Sequence, residues 1–328
     1  MVRQIDKCRF DVYNTNMSKL QDTQMNGFVG RKTELKLLEG LLLKKTASLI
    51  VVYGRRRVGK SRLVAEFASK YTFISFSGIF PEKDTTNQDQ LNEFSRRFKD
   101  QFGKNTGLLT DWGDAFQQLV SQTRTGKIII LLDEITWMGG KDPNFLGKLK
   151  NAWDMEFKKN NQLIVVLCGS VSLWIEKKIL ANRGFYGRIS LKLRLKELPL
   201  SDCEHFWDGY GGQVSNYEKF KILSVTGGIP KYLEEIRVDQ SADENIRRLC
   251  FSRHGQLYND YKYIFLSLLE RDSPYYQDII KILSQNSLER SDLVDKINKI
   301  LIGLLNWSRT NNRQVYFFGR MWVGMTIV

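Results

Sequence analysis

Hydrophobic positions fall into two regimes that meet near Pro199. Upstream, short aliphatic runs alternate with segments whose apolar residues recur every three or four positions. Residues 48–53 (Ser-Leu-Ile-Val-Val-Tyr) predict a strand ending at Gly54, and Leu63, Val64, Phe67 and Ala68 give residues 60–69 helical spacing. Residues 71–77 predict a second strand, and 87–102 a helix with Leu91, Phe94 and Phe98 on one face. A third strand over 127–132, a helix over 145–158 and a fourth strand over 162–168 follow. Uninterrupted apolar runs are what strands of a parallel sheet need when both faces are covered. Residues 189–195 differ, because Ile and Leu alternate with Ser190, Lys192 and Arg194, the pattern of a half-exposed edge strand.

Downstream the pattern is helical. Ser201 followed by Glu204 predicts an N-cap with an acidic third position. Helices over 216–225, 230–238, 242–252 and 256–270 fit between the breakers Gly211-Gly212 and Gly227-Gly228. Residues 276–283 and 290–300 predict two helices of a helix-turn-helix, and the aromatic-rich stretch 306–328 has no clear period.

Composition narrows the class. A chain 42% hydrophobic and 26% charged is globular, and no stretch approaches the ~18 consecutive apolar residues of a membrane span. No membrane association is expected. Residues 1–26 lack the apolar core of a secretory signal, so a cytoplasmic location is expected. Cys8, Cys168, Cys203 and Cys250 are too scattered for a zinc pair or a disulfide framework, and Cys168 has the setting of a buried small hydrophobe. His205 and His254 lack partners at ligand spacing, and Trp153, Trp174 and Trp207 have the setting of packing residues. A net charge of +14 points to a polyanion such as double-stranded DNA, with solvated helix faces as the equal alternative.

The chemistry concentrates where strands end. Gly54-Arg55-Arg56-Arg57-Val58-Gly59-Lys60-Ser61, followed by Arg62, is a Walker A pattern between a strand and a helix. Gly54 and Gly59 permit a tight turn whose backbone N–H groups face phosphate oxygens, with the helix N-terminus adding positive potential. Lys60 reaches the terminal phosphates of ATP, and Ser61 supplies a hydroxyl to Mg²⁺. The run 128–132 delivers Asp133 and Glu134 to the end of another strand, the first as a metal ligand and the second as a base for water. Arg55, Arg56 and Arg57 occupy the variable loop positions, where they either attract nucleotide or pair with acidic neighbours.

Further marks accompany these: Phe28-Val29-Gly30-Arg31 with Glu34-Leu35, Leu167-Cys168-Gly169-Ser170, Gly184-Phe185-Tyr186-Gly187-Arg188, and Gly227-Gly228-Ile229-Pro230-Lys231-Tyr232-Leu233. Together they resemble the AAA+ superfamily, and within it the prokaryotic archaeal-type ATPases related to the STAND switches. The resemblance implies an α/β fold, a P-loop NTPase parallel sheet with helices on both faces, followed by a helical lid and a winged-helix-like C-terminal region. The corresponding boundaries are an extension over 1–26, the α/β domain over 27–199, the lid over 200–270 and the last region over 271–328. It further implies that Phe28, Val29, Gly30, Arg31 and Pro230 lie near the adenine and that Ser170 senses the γ-phosphate. By the same resemblance Arg188, with Arg183 as competitor, is an arginine finger in cis or across a subunit boundary, the latter requiring a homo-oligomer. Lys231 stands where other AAA+ members use a lid arginine.

Overall fold

The computed structural model describes residues 27–82, 84–170, 174–208 and 214–260. The expected N-terminal extension, the helix-turn-helix, the winged-helix-like region and the part of the 256–270 helix beyond 260 lie outside the described residues.

The predicted sheet is present. Strands β1 (Ser48–Gly54), β2 (Thr72–Ser77), β3 (Ile128–Asp133), β4 (Ile164–Ser170) and β5 (Ile189–Leu195) run parallel in the order β2-β3-β4-β1-β5. Successive side chains point to opposite faces, so each aliphatic run serves two cores. On one face Leu49, Val51, Ile130, Leu132, Val165 and Leu167 pack under α3 (Asn87–Phe102), α4 (Trp112–Gln122), α5 (Ile135–Gly139) and α6 (Phe145–Met155). On the other, Ile50, Val52, Ile129, Leu131, Val166 and Cys168 pack under α1 (Lys32–Leu41) and α2 (Lys60–Ala68). β5 is an edge strand, with Leu193 and Leu195 buried and Lys192 and Arg194 exposed.

Helix α3 has the predicted bounds because Thr86 closes a capping box with Asp89 and Gly103 ends the helix at φ +65°. The helix over 145–158 stops at Met155, and a 3₁₀ turn, Phe157–Lys159, takes its last residues.

Beyond Pro199, α7 (Leu200–Cys203), a 3₁₀ turn (Glu204–Trp207), α8 (Asn216–Thr226), α9 (Pro230–Leu233), α10 (Ala242–Ile246) and a π-helical turn (Arg247–Phe251) surround a third core of Leu198, Cys203, Trp207, Ile222, Leu233 and Ala242. The helices expected over 230–238 and 242–252 are thus shorter or broken. Ser201 is not the N-cap of α7: the Pro199 carbonyl already accepts from Asp202 N and Cys203 N at 3.0 Å each, so the helix begins before it.

Candidate active site

Parallel register brings all five strand ends to one edge of the sheet. Gly54 pairs with both Ser170 and Leu195, and Ser77 pairs with Asp133. A Cβ on Gly54 would collide with the Leu195 carbonyl, so this exit from β1 requires glycine. Gly59, at φ +90°, caps α2, and Arg57 between them also adopts a left-handed conformation at φ +70°. Buried Lys60 turns its ammonium back to donate to the carbonyls of Gly54 (3.2 Å) and Arg55 (3.0 Å). Ser61 Oγ donates to Asp133 Oδ2 at 2.5 Å, joining residues 72 positions apart.

Glu134 follows Asp133 at φ +45°, an uncommon conformation for a side-chain-bearing residue, and its N–H donates to Asp133 Oδ1 at 2.9 Å. The Glu134 carbonyl accepts from Trp137 N and Met138 N, which fixes the turn into α5. Its Oε2 is buried and has no hydrogen-bond partner among the described residues. Burial first, and the Asp133 charge second, push its carboxyl up to about 7, against the opposing pull of Lys60 and Arg56.

No cluster of three His, Cys, Asp or Glu side chains able to hold a metal is present among the described residues. The paired Ser61 and Asp133 oxygens instead fit Mg²⁺, which keeps several waters and takes substrate phosphates as further ligands.

A cleft beside the loop is lined by Phe28, Val29, Val58, Arg62 and Pro230. Phe206 and Glu234 also line it and were missed. Glu234 lies four residues after Pro230, a spacing that offered a signal for a shared face; Phe206 offered none. Gly30 is forced to be glycine by φ +69° and by the Asp202 carboxylate against it. Arg31 lines the same cleft but spends its donors on protein: its N–H bonds Asp202 Oδ2 (3.2 Å), and its guanidinium bonds the carbonyls of Val58 (3.1 Å) and Lys196 (2.6 Å). It braces the loop from behind.

The loop arginines are engaged with protein neighbours. Arg55 pairs with Glu197 at 3.1 Å, and Arg56 lies over the Trp137 ring. Arg57 pairs with Asp260 at 2.6 Å and lies 5.9 Å from the Tyr232 ring centre. Burial and the neighbouring Asp260 push the Tyr232 phenol up to about 12. Lys231 is paired with Glu234 (3.4 Å) and Glu235 (3.3 Å).

Arg188 does not join this group. It precedes β5, whose Ile189 pairs with Leu49 near the start of β1, whereas Gly54 ends β1. At ~3.3 Å per strand residue that separates it from the loop by roughly 17 Å along the sheet. A role in cis is therefore corrected: strand direction puts Arg188 at the opposite edge. Its Nε and Nη2 donate to Asp154 Oδ1 and Oδ2, each at 2.8 Å, in a two-pronged pair. Arg188, with help from Lys150, holds the Asp154 carboxyl down at about 2. Arg183 is exposed in the same turn.

A parallel sheet with this loop at its C-terminal edge and helices on both faces defines a P-loop ATPase fold. The family model of an ATPase domain predominantly from Archaea matches residues 28–236, and the chain belongs to that family. An uncharacterised protein of Methanocaldococcus jannaschii is 26% identical over 224 residues, 68% of this chain and 47% of that protein, so the chain spans about half its length. An uncharacterised ATP-binding protein of the same organism is 52% identical over 40 residues, 12% of this chain and 68% of that protein. The Walker-type ATPase of Pyrococcus abyssi has a similar fold, with a TM-score of 0.63 and 20% identity over 88% of this chain and 91% of that one. Among the described residues no helix is long and apolar enough to cross a membrane.

Proposed function

We propose that the chain is a Mg²⁺-dependent ATP hydrolase whose nucleotide cycle moves the lid against the sheet. The observation that carries this is the Ser61–Asp133 contact with the unpartnered Glu134 Oε2 beside it. The loop N–H groups bind the phosphates, and Lys60 exchanges its two loop carbonyls for terminal phosphate oxygens. Ser61 and Asp133 would hold Mg²⁺, which neutralises charge developing on the phosphate oxygens. Glu134 orients a water and takes its proton, and Ser170 bonds the γ-phosphate or that water, a role supported by its pairing with Gly54 in the sheet. Phe28, Val29 and Pro230 form the walls for the base. Lid coupling is supported by the ion pairs of Arg62 with Glu234 and of Arg57 with Asp260, which join the loop and its helix to residues beyond 230. The opposite-edge location of Arg188 leaves a neighbouring subunit's site as the one it can serve.

Glu134→Gln is expected to bind ATP normally and to lower turnover by ~10²-fold or more, the scale of losing a general base. Unchanged turnover refutes the assignment.

A second reading, binding of double-stranded DNA under nucleotide control, is favoured by the +14 charge together with the engagement of all three loop arginines, which leaves the surplus elsewhere on the surface. Absence of binding to a mixed-sequence duplex at low salt removes it.

A further inference from the structure

The charge surplus has a specific concentration on the sheet. After the irregularity at the start of β5, Leu191, Leu193 and Leu195 point into the core beneath α2. Lys192 and Arg194 point the other way, level with Val51 and Tyr53 of β1, and Lys196 continues the alternation past the strand end. On that face α3, α4, α6 and the turn Ile175–Leu180 cover β2, β3, β4, β1 and Ile189 at the start of β5, but leave the rest of β5 uncovered: Lys192, Arg194 and Lys196 are all exposed. Among the described residues none of the three has a carboxylate within ion-pair distance. The polar side-chain contact in the row is Lys192 Nζ to the Leu180 carbonyl, at 3.4 Å. That carbonyl ends the π-helical turn Ile175–Leu180, which adds exposed Lys177 and Lys178 and one exposed acid, Glu176.

We propose that this bare face of β5 is a track for the sugar-phosphate backbone of nucleic acid. The proposal rests on the DNA-binding reading above and gives it a location. Residues two apart on a strand repeat at roughly 6.6 Å, comparable with the separation of neighbouring phosphates along a nucleic-acid strand, so each cation meets a successive phosphate. Contacts of this kind fix position without reading sequence. The row ends at Lys196, one residue past the Leu195–Gly54 pair, so bound backbone would run up to the phosphate loop, where the Arg55–Glu197 pair marks the end of the track.

Edge strands also carry lysines to discourage pairing with other chains. That need alone does not account for the row: β2, the opposite edge, has no charged residue in Thr72–Ser77, and its Ser75 backbone is closed by the Gln101 amide.

The test is fluorescence anisotropy of a labelled mixed-sequence duplex with the full chain, across a salt series. The variants are the triple K192A/R194A/K196A and, as control, K158A/K159A, which removes two exposed cations from the turn before β4. Normal nucleotide binding establishes that each variant is folded, and Arg194→Gln alone serves if the triple variant is not. The track predicts that the slope of log affinity against log salt flattens by about 2.7 in the triple variant and by about 0.9 in Arg194→Gln. Affinity at moderate salt should fall about 10²-fold in the triple variant and stay unchanged in the control. Wild-type protein that fails to bind at low salt overturns the track and the DNA reading together. Binding whose salt slope is unchanged in the triple variant, or reduced equally in the control, overturns the track alone. New self-association of the triple variant with unchanged DNA binding assigns the cations to edge protection and likewise overturns it.

Discussion

The buried carboxyl of Glu134 makes the folded protein pay, at neutral pH, for a group suited to catalysis. Its ordinary value of 4.5 rises to about 7 through burial and the adjacent Asp133. Below its unfolded value the carboxyl is protonated in both states and costs nothing. Between 4.5 and about 7 the unfolded chain releases the proton while the folded chain keeps it, so stability falls as pH rises, then levels off. At about 1.4 kcal/mol per pH unit the full loss is about 3 kcal/mol. Glu134→Gln removes the titration and keeps the shape. The variant should exceed wild type in stability by about 1 kcal/mol near pH 5 and by about 3 kcal/mol near pH 8. Urea unfolding of nucleotide-free, chelator-treated protein at the two pH values measures this. A constant difference between the variants across that range refutes the raised carboxyl. A variant less stable than wild type near pH 8 refutes the view that Oε2 lacks a partner.

Asp260→Asn keeps the shape of the Arg57 partner but removes its charge; breaking a pair with one largely buried member should cost about 2 kcal/mol in urea unfolding and weaken nucleotide binding, since Arg57 belongs to the loop. Unchanged stability and affinity would detach Asp260 from the loop. Asp154 titrates at about 2, below its ordinary 3.8, so its contribution is present above 3.8 and is lost as pH falls through about 2. Solvent screening at its partly exposed partners Arg188 and Lys150 discounts it to about 1 kcal/mol, and Asp154→Asn should narrow the acid-stability gap to that extent, read by fluorescence-monitored acid unfolding. If Arg188 serves a neighbouring site, turnover per subunit should rise with protein concentration in wild type and lose that dependence in Arg188→Ala; concentration-independent turnover in wild type refutes the role.

How much of this was legible depends on whether geometry is local. The phosphate loop needs only a strand, two glycines and a helix in succession, all within residues 48–69, and it stands where the pattern put it. Helix α4 was equally local: Trp112, Ala115, Phe116, Leu119 and Val120 follow helical spacing behind an Asp111 cap, a signal that went unused. The Ser61–Asp133 contact is different, because β4 lies between β1 and β3 and strand order cannot be read from either strand alone. Partners that reach in from the helices beyond Pro199, such as Phe206 and Asp260, depend wholly on tertiary packing. Strand direction would have sorted the rest. In a parallel sheet, residues that follow strands converge on one edge, as Gly54, Asp133, Ser170 and Lys196 do, while a residue that precedes a strand goes to the other. Arg188 precedes β5. Its position on the chain therefore already excluded it from the site of its own subunit, whatever motif surrounds it, and a part in hydrolysis requires a second subunit to approach that far edge.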